Sequence, residues 1–151
     1  MTSKDIKRYI EDIGIDRLYK KVEKYFNLLD EWEDKLISGD LLNEYELKYM
    51  GEVATGVYGK LSPIVNALES YKERVERNTE FVYLNSCEKI KTTDTALAKA
   101  KARDAINDYR DYYGDFKAYL DSAEKIIYCS QSRLKHETVE KKGKGVDYVN
   151  E

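Results

Sequence analysis

Six cations crowd one short stretch near the C-terminus of this sequence. Lys125, Arg133, Lys135, Lys141, Lys142 and Lys144 stand against Glu137 and Glu140, so residues 125–144 carry +4 in a chain whose net charge is −3. His136 lies among them. Clustered Lys and Arg can contact phosphates, with an affinity that falls steeply with salt. Cations are also favoured at a helix C-terminus, where they complement the backbone dipole. Both readings stay open from charge alone. A second basic group, Lys99, Lys101 and Arg103, alternates with alanines. Tyrosine is abundant, 14 residues against three Phe and one Trp. Tyrosines can stack on unpaired bases, or they can cover core edges and interfaces.

Other chemistries find less support. Asp104, Asp108, Asp111 and Asp115 recur at steps of four, three and four, a row on one helical face. Such a row lacks the carbonyl-supplying loop of a calcium site and is expected to be a solvated acidic face. Gly51 and Gly56 have the spacing of a phosphate-binding loop, but Val57 follows where lysine is required. Close helix packing or local flexibility is the expectation for Gly51, Gly56 and Gly59. Cys87 and Cys129 form no CxxC pattern, and one histidine with two cysteines cannot complete a metal site. No nucleophile stands beside a base by motif. The expectation is no enzyme, no metal and no cofactor.

These residues must be positioned by helices. From Ala102 the apolar positions run Ala102, Ile106, Tyr109, Tyr113, Phe116, Leu120, Ala123, Ile127, Ser130, Leu134, alternating steps of four and three. That is the spacing of one buried stripe along a helix. Neighbouring Ala105, Tyr112, Tyr119 and Ile126 widen it, which suits packing against several helices. At 1.5 Å per residue the helix is a rod on the order of 60 Å long, and its stripe needs long partner helices from this chain or from other copies. Ile106, Tyr109, Tyr113, Phe116, Leu120, Ile127 and Leu134 are the candidate core or oligomer seam. Arg103, Arg110 and Lys117 flank it, placed to pair with acids of a neighbouring helix.

Earlier in the chain, Thr2 or Ser3 can cap a short helix with an edge of Ile6, Ile10 and Ile13, interrupted at Gly14. Asp16 can cap the next, whose stripe is Leu18, Val22, Tyr25, Leu29, Trp32, Leu36, with Gly39 as its stop. Asp40 can cap a third, striped by Leu47, Met50, Ala54, Val57, Leu61, Ile64, Leu68, Tyr71 and Val75. Its register passes through Pro63 without a slip, so either one bent helix or two helices meeting at Ser62 would fit. Asn78 and Thr79 predict a break before a short helix over 80–91.

One proline and a high charged fraction belong to an all-α chain. The fold expected is an elongated bundle of long antiparallel helices with heptad-like seams and little or no β structure. A single domain is expected over 1–140, with helices near 3–13, 16–38, 41–77 bent near 63, 80–91 and 94–138. Residues 141–151 are expected to form a flexible basic tail. Residues 1–80 hold 13 Lys and Arg against 17 Asp and Glu, and residues 81–151 hold 13 against 12, a mild asymmetry. No apolar run approaches the ~20 residues of a membrane span, and no signal peptide is evident. A cytoplasmic location follows, with both cysteines expected as packed thiols.

The C-terminal part resembles a phage protein family. Lys91 and Thr92 precede the alanine- and lysine-rich Ala96, Leu97, Ala98, Lys99, Ala100, Lys101, Ala102, Arg103, then a tyrosine-rich helix, then Ser132, Arg133, Leu134, Lys135, His136. This pattern is similar to the UvsY-type recombination mediators of tailed phages, over roughly the last third of the chain. The resemblance implies a homo-oligomeric, non-enzymatic protein of the host cytoplasm. Such a protein binds single-stranded DNA and helps load a recombinase past a single-strand-binding protein. By position, Arg133, Lys135 and His136 match the closing motif. Lys99, Lys101 and Arg103 match the family's basic character but sit elsewhere relative to it. Lys141 and Lys142 extend the candidate nucleic-acid-binding set. The acidic first half departs from that profile and is expected to meet partner proteins. The alternative is a helical protein–protein interaction module, structural, adaptor or anti-defence, that binds no nucleic acid. Negative net charge favours it.

Overall fold

A computed structural model describes residues 1–39, 41–90 and 95–146, with side chains described outside 86–90 and 144–146. The fold is all-α, and no strand occurs among the described residues. Helix α1 spans Ser3–Arg8 and widens into a π-helical turn at Tyr9–Ile13. Helices α2 (Ile15–Ile37), α3 (Glu44–Ile90), α4 (Thr95–Ala105) and α5 (Asn107–Val146) follow. Contacts divide the chain into two compact units, Met1–Lys21 with Ser62–Lys117, and Val22–Leu61 with Ala118–Glu151.

Local chemistry explains the helix ends. Thr2 caps α1 reciprocally with Asp5: the Asp5 amide donates to Thr2 Oγ1, and the Thr2 amide donates to Asp5 Oδ2 at 2.7 Å. Those bonds hold the Asp5 carboxyl below its ordinary range. Gly14 has φ +122°, a conformation that excludes a side chain, so α2 begins at Ile15 rather than from an Asp16 cap. Asp40 lies outside the described residues. The cap seen on α3 is Asn43, whose amide and side chain exchange bonds of 2.8 Å each with Glu46.

Three boundaries differ from the sequence expectation. Helix α3 is one helix through Pro63, and it runs on past Asn78 and Thr79 to Ile90. Thr79 returns its hydroxyl to the Val75 carbonyl at 2.8 Å, so this residue sits inside a helix without breaking it. The expected continuous helix over 94–138 is interrupted at Ile106. There the amide bonds the Arg103 carbonyl three residues back, and α5 restarts with Arg110 bonding Ile106. At the far end α5 continues to Val146, so residues 141–146 are helical where a flexible tail was expected. Lys141 is fixed there by Glu44 at 2.8 Å.

In the first unit the core gathers Ile6, Ile10, Leu18, Ile64, Leu68, Ala98, Ala102, Ile106 and Phe116. Tyr71 packs on Tyr109, Glu69 meets Tyr113, Glu76 faces Arg110 and Tyr83 faces Lys101. Numbers rise on one side as they fall on the other, so α3 is antiparallel to α4 and α5 here. The Asp104, Asp108, Asp111 and Asp115 row is exposed, as read from its spacing.

In the second unit Val22, Phe26, Leu29 and Trp32 of α2 pack with Leu47, Met50, Ala54, Val57 and Leu61 of α3 and Ala123, Ile126 and Ser130 of α5. Phe26 stacks on Tyr119 with ring centroids 4.0 Å apart, a contact worth about 1 kcal/mol beyond the area it buries. Of the α5 seam, Ile106 and Phe116 are buried, whereas Tyr109, Tyr113, Leu120, Ile127 and Leu134 are half-buried. The buried large aliphatic residue past 120 is Ile126, one residue before the expected Ile127.

Of Gly51, Gly56 and Gly59, only Gly51 serves close packing. A Cβ on Gly51 would stand 2.9 Å from Ser130 Oγ, while the other two face open space. Ser130 is fully buried and donates to the Ile127 carbonyl at 2.9 Å. Gly→Ala in a helix interior ordinarily gains about 0.5–1 kcal/mol. At Gly51 that gain should vanish, because the Ser130 hydroxyl must leave its bond. In a Ser130→Ala background the gain should return. Urea unfolding of the two single variants and the double variant is expected to show a coupling of about 1 kcal/mol; additive effects would contradict the close approach.

Candidate nucleic-acid interface

The eight candidate basic residues divide by what holds them. Lys99, Lys101 and Arg103 lie on α4 in the first unit. Lys101 Nζ sits 4.7 Å from the centre of the Tyr83 ring. Lys99 and Arg103 are exposed one turn apart, and among the described residues neither makes a hydrogen bond or an ion pair. Arg133, Lys135, His136, Lys141 and Lys142 lie on α5 in the second unit.

Two of these five are committed to the fold. The half-buried Arg133 donates Nη2 to the Leu36 carbonyl at 2.7 Å, satisfying an acceptor in the last turn of α2. Lys141 meets Glu44 in the first turn of α3. Glu44 also pairs with Lys48 at 3.0 Å. Lys141 first, then Lys48, holds the Glu44 carboxyl down to about 2, and Glu44 in turn raises Lys141. Both side chains are held by partners within the protein.

The remaining three share one outward face. Lys135, His136 and Lys142 are exposed opposite the buried stripe of Ala123, Ile126 and Ser130. The same face includes Lys125, Tyr128, Ser132 and Val139, so the row reads Lys125, Tyr128, Ser132, Lys135, Val139, Lys142 at steps of three and four. Every member is exposed; Tyr128 shows 65 % of its surface and Val139 69 %. Among the described residues none of the three lysines has a hydrogen bond, ion pair or aromatic partner, and no carboxylate falls within the row. Lys125 was counted in the basic stretch but not among the candidate binding residues, and Tyr128 was in neither. Their signal was the complementary face: once Ala123 and Ser130 define the inside, residues half a turn away define the outside.

Most of the abundant tyrosines serve a different purpose. Tyr109 donates to the Ile10 carbonyl at 3.2 Å, Tyr113 to Glu69 at 3.3 Å and Tyr119 to Asp30 at 3.1 Å. Lys60 donates to the Tyr25 hydroxyl at 2.7 Å. Burial, with Tyr71 alongside, pushes the Tyr109 phenol up to about 12. These rings cover core edges and direct their hydroxyls to partners. Tyr128 is unlike them in facing outward.

Cys129 is exposed on α5 and free, where a packed thiol was expected, because it falls outside the buried stripe. The side chain of Cys87 lies outside the described residues. No cluster of His, Cys, Asp or Glu that could hold a metal ion occurs among the described residues. No described helix is long and apolar enough to cross a membrane. Comparison with known protein families, with characterised proteins and with solved structures finds no match for this chain.

The Glu44 cluster sets an acid response. A depressed carboxylate contributes stability that is present above its ordinary value of 4.5 and is lost as pH falls toward about 2. Lys141→Ala is expected to move the Glu44 titration, followed by NMR, upward from about 2 toward its ordinary value. The variant should then lose less stability than the parent between those pH values. An unmoved Glu44 midpoint would show that Lys141 does not hold it.

Proposed function

We propose that the chain is a non-enzymatic accessory protein of phage DNA recombination or repair that binds single-stranded DNA and assists recombinase loading. In this reading it acts as a homo-oligomer in the host cytoplasm, with a recombinase or single-strand-binding protein as partner. The observation that supports it is the outward α5 row. Three unpaired lysines and an exposed tyrosine lie on one face, with no acid among them. Lysines supply phosphate contacts, and a tyrosine face gives an unpaired base a stacking surface that duplex DNA cannot use. His136 flanks the row. Arg133 and Lys141, although part of the resembling segment or its extension, are assigned to structure.

The second reading, a protein-interaction module without nucleic acid, is favoured by a different feature. Ile37, Leu41, Tyr45 and Tyr49 are exposed in the second unit, Leu41 completely. The last three line a cleft of about 540 Å³ with Trp32 and Met50. Exposed apolar groups gathered in this way mark interaction surfaces.

Fluorescence anisotropy of a labelled single-stranded oligonucleotide, with duplex alongside, separates the two. The DNA-binding reading expects salt-sensitive binding that prefers the single strand. The combined Lys125→Ala, Lys135→Ala and Lys142→Ala variant should bind about tenfold more weakly or worse, with the slope of log affinity against log salt shallower by about 2. Tyr128→Ala should narrow the preference for the single strand without changing that slope. No binding at low salt would remove the DNA reading in favour of the interaction module.

A further inference from the structure

The first unit holds a cleft of about 460 Å³ that the DNA-binding reading does not use. One wall is the N-terminal segment, through Ser3, Lys7, Ile10 and Glu11. These recur at steps of four, three and one, so they share a face. The other wall is one face of α3, through Ala67, Ser70, Tyr71, Arg74 and Arg77.

Its floor and rim differ chemically. Ile10 is buried, and Ala67 and Tyr71 are half-buried, which makes the floor mostly apolar. The rim brings three cations, Lys7, Arg74 and Arg77, against the single acid Glu11. Arg74 Nη2 pairs with Glu11 Oε1 and holds that carboxyl below its ordinary range, so the two neutralise one another. Arg77 is tied only to Glu73 of its own helix, donating Nε to the Glu73 carbonyl at 3.3 Å and meeting its carboxylate at 3.7 Å, an exposed and weak pairing that leaves Nη1 and the outward edge of the guanidinium open. Lys7 makes no side-chain hydrogen bond or ion pair among the described residues, although its charge lies near enough to Glu11 to help lower that carboxyl. Even with Glu73 counted, the rim of the apolar cleft keeps a net positive charge, and Lys7 and Arg77 are its least tightly held cations, with the Ser3 and Ser70 hydroxyls beside them. Ligand sites have this pattern: an apolar enclosure of a few hundred Å³ and a few convergent polar groups that fix orientation.

We infer that the cleft between α1 and α3 binds a small organic anion, its apolar body on Ile10, Ala67 and Tyr71 and its phosphate or carboxylate head between Lys7 and Arg77. The planar guanidinium of Arg77 suits a two-point bond to either head, and the Lys7 ammonium adds a point charge. Arg74 stays with Glu11 and closes the side of the cleft. None of these residues belongs to the α5 row, so loss of DNA binding and loss of this site are separable.

Isothermal titration calorimetry of the full chain with hexyl phosphate and with hexanoate tests the site, with inorganic phosphate and 1-hexanol as controls that carry only a head or only a body. Saturable binding of at least one amphiphilic anion, with neither control binding as tightly, is expected; the better head identifies the ligand's anionic group. The combined Lys7→Glu and Arg77→Glu variant changes exposed side chains and should keep its helicity by circular dichroism while binding about tenfold more weakly or worse. Ala67→Phe fills the floor and should also abolish binding. No binding by either amphiphile, inorganic phosphate binding as tightly as hexyl phosphate, or unchanged affinity in both variants would each overturn the assignment.

Discussion

The buried stripe of α4 and α5 is made largely of small residues, and that constraint shapes the rest. Ala98, Ala102, Ala123, Ser122 and Ser130 are buried, with Ile106, Phe116 and Ile126 as the large exceptions. Such a stripe supplies little apolar volume of its own. Neighbouring helices must come close and bring the bulk: Leu18, Ile64 and Leu68 in the first unit, and Phe26, Trp32, Leu47 and Leu61 in the second. Gly51 is the sharpest case, because its lack of a Cβ leaves space for the Ser130 hydroxyl. Close approach then leaves large side chains of α5 at the edges. There they become tyrosines, which pack a ring and still reach a carbonyl or carboxylate. Among the described residues no charged side chain is fully buried, and no buried side-chain polar atom lacks a hydrogen-bond partner.

This arrangement sorts the cations by distance from the stripe. Arg133 lies near enough to reach the Leu36 carbonyl, and Lys141 reaches Glu44. Lys125, Lys135 and Lys142 lie opposite and meet no acid. The sequence motif around Ser132, Arg133, Lys135 and His136 therefore mixes two functions within one helical turn, a structural Arg133 and an outward Lys135. Composition could not separate them, since only the angle around the helix distinguishes one from the other.

Much of the fold was legible because steps of three and four residues report directly on a buried face. Leu18, Val22, Leu29 and Trp32 in α2, and the row from Leu47 to Leu68 in α3, are buried as their spacing indicates. What failed was punctuation. Asn78 and Thr79 read as a break, yet a threonine whose hydroxyl bonds back to the helix can remain inside it. Nothing of the usual kind, neither glycine nor proline, announced the interruption at Ile106. For the candidate site, Lys135, His136 and Lys142 were named and Lys125 was counted in the basic stretch, but that they share an outward face with Tyr128 follows only from the position of the core.

The central functional claim is that the outward row of α5 meets single-stranded DNA while the buried stripe stays within the protein. Its most direct test is NMR mapping of amide shifts in the isotopically labelled protein as an unlabelled oligothymidylate is added. The account predicts shifts concentrated at Lys125, Tyr128, Ser132, Lys135, Val139 and Lys142, with Ile106, Phe116 and Ala123 unmoved. Shifts confined to α4 around Lys99 and Arg103, or no shifts at all, would contradict it.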